Sequence, residues 1–457
     1  MSRPVTEIIG SARPQIGFRA AGFTLVEVLV ATALTLLLMA AVVTYFGDIG
    51  GSVGDARANL EMADRLRSAA TILSKDLQGI TVMPLPPRRP EQAEGYLEII
   101  EGPLGMRISP QTVAVIKETG QPDTTVGDVD DILMFTTRGR FVGRCQYSAT
   151  GVIESDTAEV AWFVRGRTLY RRVLLVAPGM VPPAAQAAGF YANNDISVRF
   201  DPDLKILVGN SLADLTRREC RFAHNPFQYP YDVRGWGQLG LPTLRECSSS
   251  KWIAGQMTPP KEPVWADKID YWAAPADPNP PCVHPWANVD RETGTMTAYM
   301  DGTRYTDDVM LTHVISFDVR VFDPGAAKGV GEFVDLGYAA QAYNPNLTTP
   351  PGEPQPLFYH LGDPRSGLVG DSRRGCVYDT WSFHYETAGR GPGDQLAGRA
   401  VNGFDDDGNG VIDDASELIA PPPYPAPLRG IQVRIRCFEP DSRQLREVTV
   451  VQDFLPK

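Results

Sequence analysis

Apolar and polar positions divide the chain into one continuous apolar run, one amphipathic stretch and a series of short alternating segments. From Gly22 to Phe46 a single charge, Glu27, interrupts the apolar residues. A helix over 23–46 would be roughly 35 Å long, enough to cross a hydrocarbon core of about 30 Å. A carboxylate inside such a helix costs on the order of a few kcal/mol unless something pairs with it. The stretch supplies no basic residue to do so. From Asp55 the apolar positions Leu60, Ala63, Leu66, Ala70, Leu73 and Leu77 recur by threes and fours, which predicts an amphipathic helix ending near Gln78. Gly47, Gly50, Gly51 and Gly54 lie between the two stretches and predict a softened or broken joint. Residues 47–82 therefore read as the second half of a long helix that leaves the membrane and lays its stripe on a head.

The run from Met83 to Pro90 is proline-rich and ends the helix. Strand patterns follow at Tyr96 to Glu101, Ile132 to Thr137 and Val314 to Phe322, with a hairpin pairing Glu159 to Val164 with Leu169 to Val176. A last hairpin joins Ile431 to Phe438 with Arg446 to Phe454; its first arm alternates Ile431, Val433, Ile435 and Cys437 against Gln432, Arg434 and Arg436, one face core and one wet. A long helix followed by antiparallel strands predicts an α+β fold, with the helix packed on a β-rich head over 83–457. Residues 177–305 and 324–429 show little periodicity and are rich in Pro, Gly, Trp, Tyr and Asp. They read as large loop-rich insertions, the first with room for a small second domain. Trp236, Trp252, Trp265, Trp272 and Trp286 offer either a glycan or partner surface or, as such residues more often do, the small core of the insertion.

Residues 1–22 hold Arg3, Arg13 and Arg19 against Glu7, with two prolines, and read as a short cationic leader. An ordinary secretory signal places its small-residue cleavage site after the apolar run. Here Ala20, Ala21 and Gly22 precede it, so a cut there leaves the helix on the mature chain. A new amino group on Phe23 could then be neutralised by Glu27 of an adjacent copy or related subunit. The sequence Gly22, Phe23, Thr24, Leu25 and Glu27 at the head of an apolar helix resembles the processing site of type IV prepilins and type II secretion pseudopilins. The resemblance implies cleavage between Gly22 and Phe23 by a prepilin peptidase, N-methylation of Phe23, and docking of Glu27 onto a neighbour's N-terminus. The stretches 66–77 and 159–172 are loosely similar to the J-type minor pseudopilins and the W-type minor pilins.

The net charge of −12 argues against general nucleic-acid binding. Six cysteines, Cys145, Cys220, Cys247, Cys282, Cys376 and Cys437, are even in number and compatible with either disulfides or buried thiols; none forms a Cys-x-x-Cys pair. Cys437 falls on the apolar phase of its strand, which suits a buried thiol.

Asp405, Asp407, Asn409 and Asp413 occupy positions 1, 3, 5 and 9 of a calcium-type loop, with Gly410 at the sharp turn and the Val411 carbonyl at position 7. The pattern resembles an EF-hand or dockerin-type loop. Position 12 is Ser416, so a closing carboxylate falls to Glu417 or Asp414. Structural calcium and a solvated Asp/Gly turn are the two readings.

Five histidines, His224, His284, His313, His360 and His384, are scattered without a zinc-protease grouping, and no phosphate-binding or dinucleotide glycine loop is present. Gly50 to Gly54 fits the spacing of a nucleophile elbow, but a membrane helix precedes it where a strand is needed. An enzyme is not expected. The expectation is a minor pilin or pseudopilin subunit at a filament tip, anchored in the bacterial inner membrane with its head in the periplasm or carried outside. Its expected partners are prepilin peptidase, other pilin-like subunits and the inner-membrane assembly platform. The alternative is an anchored, calcium-braced adhesin or substrate-binding module.

Overall fold

The computed structural model describes residues 22–101, 128–129, 131–201, 204, 206–223, 241–254, 293, 295, 299, 301–339, 354–362, 376–380, 422–440 and 442–454. Residues up to Ala58 form one compact unit and those from Asn59 a second.

In the first unit, helix α1 (Leu25–Gln78) begins, and it continues without a break into the second. A softened or broken joint is expected at the glycines; the helix is not broken there. Nothing lies within 4 Å of where a Cβ would stand on Gly47, Gly50, Gly51 or Gly54. Each glycine weakens the helix by about 1 kcal/mol relative to alanine but leaves its backbone hydrogen bond intact, and propagation adds one bond per residue.

In the second unit, the stripe of α1 that packs inward is Met62, Leu66, Ala69, Ala70, Leu73, Asp76 and Leu77. Leu60, expected on this stripe, is 67% exposed. Six residues separate it from Leu66, and at about 100° per residue that turns it some 120° away. Met62, four residues from Leu66, takes the place.

The main sheet has the strand order β10-β1-β2-β3-β4-β7, all antiparallel, from β1 (Leu97–Glu101), β2 (Ile132–Arg144), β3 (Val152–Arg165), β4 (Thr168–Leu175), β7 (Val309–Leu311) and β10 (Cys376–Asp379). Strand β2 runs seven residues beyond its expected end at Thr137, passing a bulge between Arg138 and Phe141. A second sheet has the order β12-β11-β8-β9, from β8 (Val314–Asp323), β9 (Glu332–Val334), β11 (Gly430–Glu439) and β12 (Gln444–Asp453). A ribbon pairs β5 (Val198–Asp201) with β6 (Ile206–Gly209).

Both faces of the main sheet are apolar, and alternation sends successive residues to different cores. Leu97, Ile99, Leu133, Phe135, Val160 and Trp162 join the α1 stripe and the inner face of the second sheet, Phe317, Val319, Ile431, Val433 and Ile435, in one cluster. Their neighbours Tyr96, Ile100, Ile132, Met134, Ala161 and Phe163 belong to another, closed by Phe190, Tyr191, Ile196, Leu215, Phe222 and Leu244. Described parts of 177–305 thus pack on that second face of the sheet. They supply the outer layer of that second cluster. Trp252 packs at the edge of that cluster and meets Tyr299 edge to face; the other insertion tryptophans, 236, 265, 272 and 286, lie outside the described residues.

Polar ties run through both layers. On the helix side, Trp162 donates its indole Nε1–H to Asp76 Oδ2 at 3.0 Å, and Arg171 donates to both Asp76 oxygens. The chain leaves α1 through Gly79, where a Cβ would stand 2.4 Å from the Arg138 carbonyl oxygen, so only glycine fits. On the far side, Arg221 donates to Glu98 and Asp379, Arg218 donates to Glu98, and Arg165 holds Glu246 at two points. Glu159, also buried, accepts from the Tyr96 hydroxyl and the Phe222 amide.

Candidate processing and assembly site

Helix α1 starts at Leu25 because Thr24 caps it. The Glu27 amide donates to Thr24 Oγ1 at 3.2 Å, while the Thr24 amide and hydroxyl both donate to Glu27 Oε2 at 2.9 Å. This is a reciprocal capping box, which satisfies backbone donors that the first turn otherwise leaves open. Its signal, a threonine followed by glutamate three residues later, stands in the sequence and was missed by reading Glu27 only as a charge in need of a distant partner. The carboxylate has local donors, and the residue is exposed at the helix start.

Gly22 and Phe23 precede the cap outside any helix or strand, and Phe23 is 85% exposed. The bond between them is therefore accessible in the described residues, next to a helix that begins two residues later. The leader, 1–21, lies outside the described residues.

Along α1 the apolar side chains Leu25, Leu29, Leu36, Leu37, Val43 and Phe46 are all exposed. It is one helix long and apolar enough to cross a membrane. Its threonines do not contradict that environment: Thr32, Thr35 and Thr44 donate their hydroxyls to the carbonyls of Val28, Ala31 and Ala40, so none needs water as a partner.

Ser52, the centre of the elbow-like spacing, lies inside α1 and donates to the Asp48 carbonyl at 2.9 Å. No strand-turn-helix surrounds it. Of the histidines, His313 sits at φ 57° with its carbonyl accepting from Phe438, and His360 Nδ1 accepts from the Gly362 amide; the other three lie outside the described residues. Cys145, Cys247, Cys376 and Cys437 are free and buried, and Cys220 is buried. Burial pushes the Cys376 and Cys437 thiols up to about 12. Cys282 lies outside the described residues.

The calcium-type loop, Asp405 to Glu417 with Asp407, Asn409, Val411 and Asp413, also lies outside the described residues. A different carboxylate group does come together: Glu101, Asp128 and Asp131 place one oxygen each within 4.8 Å of one another at the join of the two sheets. Asp131 accepts from the Val319 amide, and burial followed by the nearby Asp128 and Asp318 charges holds its carboxyl well above the usual range. A protonated Asp131 can donate to a neighbouring carboxylate, which lets the three share the space. Asp128 and Asp131 lie three residues apart but Glu101 comes from β1, so no spacing in the sequence announced the group of three.

No curated protein and no solved structure matches the chain. Residues 17–43 match the family model described as the prokaryotic N-terminal methylation motif. That span contains Gly22, Phe23, Thr24 and Glu27, and it ends within the apolar part of α1. A prepilin-type N-terminal motif at the head of a long apolar helix, followed by an antiparallel β head, fits a type IV pilin-like protein.

Proposed function

We propose that the chain is a minor pilin or pseudopilin subunit, cut between Gly22 and Phe23 by a prepilin peptidase, methylated on the new Phe23 amine and assembled through α1 into a filament. The observation that carries this reading is the methylation-motif match over 17–43, with Glu27 at the first turn of an exposed apolar helix. After cleavage the Phe23 amine of one subunit and the Glu27 carboxylate of another are opposite charges at the same depth of a low-dielectric bundle, where a pair is strongly favoured over two separate ions. Before assembly, the Thr24 cap supplies hydrogen bonds that make a lone Glu27 less costly.

The head supports a minor role. It has a main sheet covered on both faces, and a body this large is difficult to repeat at every step of a thin fibre. A tip position, anchorage in the inner membrane with a periplasmic head, and contact with the assembly platform belong to the same reading. Within it, the loop at 405–417 holds calcium through Asp405, Asp407, Asn409, the Val411 carbonyl, Asp413 and Glu417, bracing the chain before β11.

Intact mass and N-terminal sequencing of the membrane-extracted protein from its native host test the proposal, with Gly22→Ala alongside. The expected mature chain starts at methylated Phe23, and Gly22→Ala prevents the cut. An uncut, membrane-bound chain that never enters a filament would overturn it.

A further inference from the structure

A half-open cavity of about 620 Å³ lies at the edge of the main sheet, beside the end of α1. Its walls carry six cationic side chains, Lys75, Arg138, Arg140, Arg171, Arg172 and Arg304, against four acidic ones, Asp76, Asp195, Asp307 and Asp308. In a chain of net charge −12 this local excess is of the opposite sign. The four acids are already neutralised: Asp76 by Arg171, Asp308 by Arg172, Asp195 by Arg304, and Asp307 by Arg304 and Arg144. Lys75 and Arg138 make no side-chain ion pair among the described residues, and Arg140 has only an exposed contact with Glu154. Exposed pairs of that kind contribute little.

The cavity floor adds a main-chain donor. On β4 the Arg171 amide donates outward to the Asp308 carbonyl at 2.8 Å, and the Leu175 amide to the Asp195 carbonyl at 2.7 Å. Antiparallel alternation points Val173, midway between them, to the same edge. Val173 lines the cavity, and no partner for its outward amide occurs among the described residues. Arg172, on the other face of β4, is 2% exposed, and among the described residues its Nε and Nη1 have no hydrogen-bond partner, nor has Asp308 Oδ1.

We propose that this cavity binds an extended acidic segment of a partner polypeptide. One residue of the segment exchanges main-chain hydrogen bonds with Val173, its side chain lying on the α1 face with Lys75. Its neighbours point to the opposite face of the sheet, toward the Arg172 side. Carboxylates on the segment meet the uncompensated charge of Lys75 and Arg138. This docking needs no N-terminal processing, so its success or failure is independent of the filament reading.

The test uses the full chain in neutral detergent and a fluorescent octapeptide of alternating glutamate and valine, read by anisotropy. Saturable binding is expected, weakened by salt and by about tenfold or more in the Lys75→Glu/Arg138→Glu double variant. Both positions are exposed, so the fold is kept. Arg446→Glu, exposed on β12, is expected to leave binding unchanged. On peptide addition the Val173 amide is expected to exchange more slowly. Equal binding of the peptide with lysine in place of glutamate, or equal loss in Arg446→Glu, would reduce the effect to bulk charge and overturn the proposal. So would an unprotected Val173 amide, or full competition by free glutamate at the peptide's own concentration.

Discussion

Asp76 and Arg171 meet at two points, each 2.7 Å long, and the carboxylate is 5% exposed. The contact fastens the last turn of α1 to β4, ninety-five residues later in the chain. Trp162 donates to the same carboxylate, so removal of Asp76 strands a guanidinium and an indole N–H together. Asp76→Ala is expected to destabilise the head by about 3–5 kcal/mol, and Asp76→Asn by less. Urea unfolding followed by tryptophan fluorescence measures it. A loss under about 1 kcal/mol would show the contact to be solvent-screened.

The capping box and the charge of Glu27 can be separated. Glu27→Gln keeps an acceptor oxygen for Thr24 and removes the charge, so the helix should start at Leu25 as before while docking to a neighbour's amine is lost. Thr24→Ala keeps the charge and should weaken the first turn by about 1 kcal/mol. Amide exchange over residues 25–28 reads the cap, and cross-linking to neighbouring subunits reads the docking. If both variants assemble normally, Glu27 has no part in docking.

Covering the main sheet with parts of 177–305 makes that insertion a folding requirement. Its deletion would bare Phe163, Tyr170 and Leu174 and leave Glu98 and Asp379 without Arg218 and Arg221. An insoluble or protease-sensitive product is expected, so such a deletion cannot separate scaffold from adhesin roles. The single change Glu246→Ala, which removes the carboxylate paired with the buried Arg165, should cost about 3–5 kcal/mol by thermal or urea unfolding.

Buried carboxylates set an unusual pH response. Burial raises Asp379 to about 6, against the pull of Arg221, and raises Glu159 and Asp131 as well. For Asp379, between roughly pH 4 and 6 the folded chain then holds a proton that the unfolded chain has lost; Glu159 and Asp131 act with the same sign. Stability should therefore fall as pH rises through that window, by up to about 1.4 kcal/mol per pH unit from Asp379. Melting temperatures from pH 4 to 8 test the sign; a steady rise from pH 4 to 6 would mean that ion pairing outweighs burial at these sites.

Calcium at the 405–417 loop is expected to raise the melting temperature, with about 2.7 kcal/mol at a hundred times the dissociation constant. Asp405→Ala and Asp407→Ala should abolish the shift, and a chelator should reverse it. An identical melting curve with and without calcium argues for a solvated turn.

The apolar run, the end of α1 and the strand positions were legible because each is a local pattern: a period near 3.6, a period of two, or unbroken apolarity. The β11 and β12 hairpin is the clearest case, since one wet face leaves a visible alternation. The two-sided burial of the main sheet was legible in principle too. Ile132 to Phe135 has no polar face, which is how a strand covered on both sides reads.

Asp76 was not legible. A carboxylate on an otherwise apolar stripe reads as a solvated edge until its partners, Trp162 and Arg171, are brought beside it. The same holds for Arg221 with Glu98 and Asp379, and for the cavity that gathers Lys75, Arg138 and Val173.

The sequence by itself determined the N-terminal methylation motif, the cap and the apolar span, because all three are written in consecutive residues and need no tertiary partner. Only the tertiary structure decided what the long irregular stretches do and which charges are buried in pairs. Those outcomes depend on contacts between residues far apart in the chain, whose formation rests on the burial of two apolar sheet faces rather than on any local spacing.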